Sequence, residues 1–407
     1  MREASHTLFV TWDGPAQNYM ESLFFPIFAH AQCEDLRIDV LQFTWASDEQ
    51  VQGIQKSAAQ HGLYYEHVPT IARPKKIAVP LSILMGAKKI VSVAKQRKID
   101  TLMPRSIIPA AMCLLAIRLN PELKLVFDAD GLMADERVDF AGWRASGVMY
   151  RLFRDWESQA VRHARAVITR SFHAKRTLHA RAGAGLDPDK IHVLPNAKDH
   201  TIFKPLEPQQ RTAVRQKLGI SDDALVLAYA GSLGPQYHPE EMLALFRLVQ
   251  ERHEDTHLLV MSGMQDVMHD LIQDLPESVA RRISVMRCPP EDVAKHIAAS
   301  DLGLSLREPS FSQQAVCPIK VVEYMLCGLP TVMIRGVGDL DERFQDLEGL
   351  YVVDDVTRTS LEQCASWCVK TLQPKRQLWS EGLRAHAIEE FGMDSVSAKL
   401  RALLMSR

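Results

Sequence analysis

Apolar positions in this chain fall into short runs separated by amphipathic stretches, and the alternation occurs twice. Leu8 to Asp13 (L-F-V-T-W-D) is a first apolar run, ending at Gly14-Pro15. An amphipathic segment follows over 19–32, then runs at 38–45 and 64–69 and a helical stretch around 88–97. Further runs lie at 101–105, 124–130, 166–171 and 191–195, several of them separated by segments of helical spacing such as 110–118 and 149–163. Short apolar runs bounded by turn residues predict buried strands. Strands alternating with helices predict parallel sheets covered on both faces.

After the Pro-punctuated polar stretch from His200 to Gln210 the pattern restarts. Strands are expected at 225–232, 257–262, 283–287, 302–306, 330–334 and 350–353, and an all-helical end over 377–404. The expected fold class is therefore α/β, with two doubly wound, Rossmann-like domains facing a cleft. Their expected bounds are 1–202 and 203–376, with helices of 377–407 packing back across the junction. Ligands of open α/β sheets bind beyond the carboxyl ends of the strands. Two such sheets suit a group-transfer enzyme or a two-lobed binding protein, so individual residues must decide.

Composition narrows the setting. A chain of 407 residues, 46% hydrophobic and 24% charged, is expected to be soluble and two-domain. The net charge of -2 provides no global attraction for nucleic acid or membrane, so any anion-binding surface must be local. Seven cysteines show no paired framework, which predicts reduced thiols in a cytoplasmic protein. The polar start M-R-E-A-S-H-T runs into a strand and predicts no leader. No apolar run reaches the roughly 18 residues of a membrane span.

The sharpest chemistry lies in C-P-I-K-V-V-E-Y-M-L-C-G-L-P-T-V, Cys317 to Val332. Pro318 suits a first helical position, and Gly328 suits the residue past a helix end. Lys320 then stands against the positive end of the helix dipole, which an anion would relieve. Free N–H groups and a first-turn lysine suit a diphosphate. Glu323, one turn on, can accept hydrogen bonds from ribose hydroxyls. The competing reading is a solvated Lys–Glu pair worth a few tenths of a kcal/mol.

This segment resembles the donor-binding signature of GT-B-fold glycosyltransferases, in particular glycosyltransferase family 4 in its bacterial polysaccharide branch, with a P-x-K-x-x-E-Y motif. The resemblance implies that Glu323 holds the donor ribose, while Lys320, Pro318 and Arg307 lie by the diphosphate. Family 4 carries a first glutamate where this chain has Ala315. The A-Y-A-G-S-L of Ala228 to Leu233, with Ser232, resembles the first strand and glycine turn of the donor domain. The arginine and lysine expected next are replaced by G-P-Q-Y-H-P, Gly234 to Pro239. Gly263 closes a strand-ending V-M-S-G, and Cys288 and Pro289 occupy the base-recognition loop. His192 to Asn196, followed by Asp199 and Phe203, resembles the family linker.

In the first half, Gly14 stands at the turn where acceptor and diphosphate meet in relatives. Asp130, Asp135 and Glu136, from F-D-A-D-G-L-M-A-D-E-R-V-D, are implied to contact acceptor hydroxyls with Asn196. Lys320 and Asp130 are the catalytic candidates. Asp128-Ala129-Asp130 also has the form of a metal-binding Asp-x-Asp, and Asp130-Gly131 that of a plain strand-exit turn. The resemblance implies a retaining hexosyltransferase of polysaccharide biosynthesis, taking a nucleotide-sugar donor and a glycan or lipid-linked acceptor, with no metal or other cofactor. Two rivals stay open: a nucleotide-sugar epimerase of the same fold, and a non-catalytic binding subunit.

A basic stretch over 73–98 carries Arg73, Lys75, Lys76, Lys88, Lys89, Lys95, Arg97 and Lys98 and no acidic residue. It fits peripheral contact with an anionic inner-membrane surface, at about 1 kcal/mol per basic residue. It fits equally a solvated helix covering one sheet face.

Overall fold

The computed structural model describes residues 4–14, 20–70, 75–183 and 185–406. The chain divides into two compact units. The first comprises the chain up to Ala197, Phe311–Val316 and the chain from Met393 on. The second comprises Lys198–Ser310 and Cys317–Gly392.

Seven parallel strands form the sheet of the first unit: β1 (Ser5–Asp13), β2 (Leu36–Thr44), β3 (Tyr64–Pro69), β4 (Thr101–Pro104), β5 (Lys124–Asp130), β6 (Ala166–Thr169) and β7 (Ile191–Val193). Their order is β3-β2-β1-β4-β5-β6-β7, so the direction of winding reverses between β1 and β4. Leu8, Phe9 and Val10 of β1 are fully buried, as the continuous apolar run requires of a central strand covered on both faces.

The amphipathic segment expected over 19–32 is resolved differently: Met20–Phe24 forms a wide π turn and Phe25–Ala31 an α-helix. Ser47 caps the helix Asp48–Gln60 by accepting from the Gln50 N–H at 3.3 Å, with Gln50 answering at the Ser47 backbone. The basic helix is longer than its periodic core and runs Lys75–Arg97, with Pro80 near its start. There the proline forfeits only one early ladder bond.

The second sheet has six parallel strands: β8 (Leu225–Ala230), β9 (Thr256–Met261), β10 (Ile283–Met286), β11 (Leu302–Ser305), β12 (Thr331–Ile334) and β13 (Leu350–Val353). Their order is β10-β9-β8-β11-β12-β13, with the reversal between β8 and β11. The helical end divides at Gly392. Gln373–Phe391 buries Trp379, Leu383, Ala387 and Phe391 in the core of the second unit. Met393–Met405 packs in the first, where Arg401 donates to the carbonyls of His30 (2.6 Å) and Ala31 (2.8 Å).

Segment 311–316 is also bound into the first unit. The Ser312 N–H donates to Asp139 at 2.9 Å, and the Ser171 hydroxyl donates to the Gln314 carbonyl at 2.7 Å. Ala315 is fully buried among the apolar residues of that unit.

Candidate functional site

The residues following β10, β9, β8 and β11 lie side by side along one sheet edge, in the spatial order Cys288, Gly263, Ser232, Arg307. The reversal between β8 and β11 falls between Ser232 and Arg307, at the position where open α/β sheets take ligands.

The helix carrying Lys320 and Glu323 is Ile319–Leu326, with Pro318 at the N-cap rather than inside the first turn. Its apolar face, Val321, Val322, Met325 and Leu326, is buried. Tyr324 fastens it across the strand reversal: its hydroxyl accepts from the Ala230 N–H (3.1 Å) and donates to the Leu304 carbonyl (3.3 Å). Gly303 makes room for that ring, since a Cβ there would lie 2.3 Å from it. Gly328 takes φ +67°, the left-handed value expected just past a helix end.

Lys320 extends along the Gly231 turn. A Cβ on Gly231, which has φ +136°, would lie 2.6 Å from the lysine Cε. The ammonium lies 4.1 Å from the Tyr237 ring centroid and 5.0 Å from that of Tyr229. The Arg307 guanidinium lies 5.4 Å from the same Tyr237 ring, and its Nε has no hydrogen-bond partner among the described residues. Among those residues neither cation has an ion-pairing carboxylate. Burial, reinforced by the Arg307 charge and opposed by Glu323, lowers Lys320 to about 7.

Glu323 corrects one expectation. It is not the solvated partner of Lys320: it is buried, and its Oε1 lies 2.8 Å from Lys198 Nζ. Lys198 also lies over the Phe203 ring at 5.4 Å. Sequence reasoning missed Lys198. Its signal was a basic residue two places after Asn196, in the segment that resembles the family linker.

The remaining second-unit candidates are less engaged. Ser232 Oγ lies 3.3 Å from the Met264 sulfur. Gly263 is exposed, with nothing within 4 Å of a Cβ placed on it, so packing alone does not require glycine there. Pro289 caps the helix Pro290–Ala298. Burial and the nearby Asp292 and Glu291 push the Cys288 thiol up to about 11.

The corresponding edge of the first unit is also charged, but its charges are paired. Asp128 is buried and receives Arg170 at 2.8 Å on both carboxylate oxygens. Asp130, at φ +61°, receives Arg105 at 2.8 Å and Arg170 at 3.4 Å. Arginines thus occupy both carboxylates of the Asp-x-Asp triplet, and among the described residues no three His, Cys, Asp or Glu side chains gather as a metal site. Asn196 lines a cavity of about 30 Å³ together with Asp128, Arg170 and Phe24.

Asp135 is paired as well. It faces inward on the helix Met133–Ala141, where Arg181 donates to both oxygens (2.7 and 2.9 Å) and the Tyr150 hydroxyl donates at 2.9 Å. Glu136, the next residue, is exposed. Gly14 abuts Trp45, whose ring a Cβ would approach to 2.4 Å. The rest of that turn, 15–19, lies outside the described residues.

Residues 210–372 match the family described as Glycosyl transferases group 1, and residues 35–201 match Glycosyltransferase Family 4. D-inositol 3-phosphate glycosyltransferase of Jonesia denitrificans is 27% identical over 194 residues, 45% of this chain and 44% of that protein. Its counterpart in Geodermatophilus obscurus is 26% identical over 241 residues, 57% of this chain and 50% of that one. The matched region thus spans about half the length of these curated relatives. HepE of Anabaena, crystallised with UDP, is 17% identical, with 99% and 100% of the two chains covered and a TM-score of 0.74. A glycosyltransferase from Rickettsia africae is 14% identical, with both chains covered completely and a TM-score of 0.76.

The fold is the GT-B fold, two α/β units each built on a parallel sheet. The chain belongs with the GT-B-fold glycosyltransferases and resembles family 4.

Proposed function

We propose that this chain transfers a sugar from a nucleotide-diphosphate sugar to a hydroxyl of a glycan or lipid-linked glycan, with retention of anomeric configuration. The observation that carries this reading is the pair of cations, Lys320 and Arg307, which among the described residues have no carboxylate partner at the strand reversal of the second unit. A departing nucleoside diphosphate needs its developing charge stabilised, and prearranged cations and helix N–H groups do this without reorganising. We assign the diphosphate to Lys320, Arg307 and the start of the helix Ile319–Leu326, and the ribose to Glu323 as held by Lys198. The base would sit towards Cys288 and Pro289. Asp130 is assigned to the acceptor side, with Glu136, Asn196 and Gly14 near it. Relatives named as inositol-phosphate glycosyltransferases and a fold neighbour crystallised with UDP support this reading.

The acceptor reading extends to the helix Lys75–Arg97. Leu81, Leu84 and Met85 are exposed on it, as are Lys88 and Lys95. Lys89 is paired with Glu66 and Arg97 with Asp39, so those two do not contribute free charge. Exposed leucines among lysines suit an anionic bilayer at the cytoplasmic face. Arg73 lies outside the described residues.

Incubation with a panel of nucleotide-sugars and an extracted lipid acceptor tests the reading. Transfer of labelled sugar to the lipid is expected. Release of epimerised sugar alone would replace transfer by epimerisation, and binding without turnover would leave a binding subunit. Lys320→Ala and Glu323→Gln should each weaken nucleoside-diphosphate binding in calorimetry. Unchanged affinity in both would reject the site.

A further inference from the structure

Gly234 to Pro239 lacks the basic pair that the family resemblance would place there, but the segment is closely built. Pro235–Tyr237 forms a single 3-10 turn closed by the Tyr237 N–H donating to the Gly234 carbonyl at 3.0 Å, and His238 leaves it at φ +48°. The turn is tied on its far side to the residue after Arg307. The Glu308 N–H donates to the Gln236 carbonyl at 2.9 Å, and the Glu308 carboxylate lies 2.7 Å from His238 Nε2. A second carboxylate, Glu241, lies 3.4 Å from His238 Nδ1. Two carboxylates therefore lie beside the histidine of the turn, yet neither is paired with Lys320 or Arg307.

Those two cations both lie over one aromatic ring, that of Tyr237. Like charges sharing a low-dielectric site repel, and a ring face offers each of them a partial negative potential without neutralising either. A carboxylate in the same place would neutralise the site and exclude a phosphate. The Tyr229 ring lies 5.0 Å from the same ammonium, and Gly231 leaves the lysine stem its path.

We propose that Tyr237 is a positioning residue that holds Lys320 beside Arg307 for the diphosphate of the donor, in place of the absent basic pair of Gly234 to Pro239. The inference rests on the donor-site reading above. It assigns selectivity for two phosphates over one to a ring face rather than to an additional cation.

The test is calorimetry of the full chain with UDP, GDP and ADP, each against its monophosphate, for the wild type, Tyr237→Phe and Tyr237→Leu. For the base that binds, Tyr237→Phe should keep the diphosphate-to-monophosphate affinity ratio, and Tyr237→Leu should lower it about tenfold. Should the leucine variant not fold, Tyr237→Met, of similar length and without a ring face, takes its place. An unchanged ratio in the leucine or methionine variant, with wild-type binding intact, overturns the role of Tyr237 alone. An equal loss in Tyr237→Phe overturns it too, because the hydroxyl rather than the ring would then matter. A wild type that binds none of the three diphosphates overturns the donor site and this inference together.

Discussion

The strand reversals of the two sheets put cations at equivalent places and treat them in opposite ways. In the first unit Arg105 and Arg170 meet Asp128 and Asp130, two charges of each sign, largely withdrawn from solvent. In the second unit Arg307 and Lys320 lie over aromatic rings and, among the described residues, have no ion-pairing carboxylate. The same fold position thus yields a self-neutralised cluster in one half and an unspent positive field in the other. A buried ion pair is costly to break from one side, because the surviving charge stays behind unpaired. An unpaired cation carries no such penalty on removal, and its energy is available to a ligand. This difference is the ground on which we propose an anion site in the second unit.

The most damaging way to probe the contrast is Asp128→Ala. It leaves two arginines, Arg105 and Arg170, to the single carboxylate of Asp130 and should destabilise the first unit by about 3–5 kcal/mol, read by chemical denaturation. A loss under 1 kcal/mol would show that the cluster is not internally balanced. Next is Ala315→Glu, which restores the family's first glutamate. Ala315 is fully buried in the first unit, so an unpartnered carboxylate there should cost several kcal/mol, on the order of 3. A variant that melts like the wild type would mean the segment can turn outward.

Lys320→Met should behave in the opposite sense. Stability should hold or rise slightly, while nucleoside-diphosphate affinity falls about tenfold, roughly 1.4 kcal/mol. A matching loss of stability would put Lys320 in the structural class of Arg170. The smallest effect is with pH. Lys320, lowered to about 7 by burial, is increasingly neutral above that value, and a diphosphate favours its charged form. Binding therefore takes up a proton, and affinity should fall severalfold between pH 7 and 9. Lys320→Arg, which does not deprotonate in this range, should flatten the profile. A flat profile in the wild type would break the assignment.

How much of this was legible beforehand varies with the kind of signal. The strand runs were readable because buried parallel strands are continuously apolar, and the helix Ile319–Leu326 because its cap, apolar face and Gly328 all agree. Asp135 was readable only as an acidic residue near a charged turn, without its partners. Only the fold shows that Arg181 and Tyr150 enclose it. Tyr237 gave no signal, since a tyrosine in a Pro-Gln-Tyr-His turn is ordinary until Lys320, 83 positions later, is brought under its ring.

The sequence by itself determined the two α/β halves, the restart near residue 200, and a lysine one turn ahead of a glutamate at a helix start. These depend on periodicity and short-range spacing, which neighbouring residues encode. Tertiary structure alone decided which charges are spent. Glu323 is taken by Lys198 and Asp128 by Arg170, whereas Lys320 and Arg307 lie over aromatic faces. The pairing of a charge depends on what long-range folding brings within a few ångströms of it, and linear order does not encode that distance.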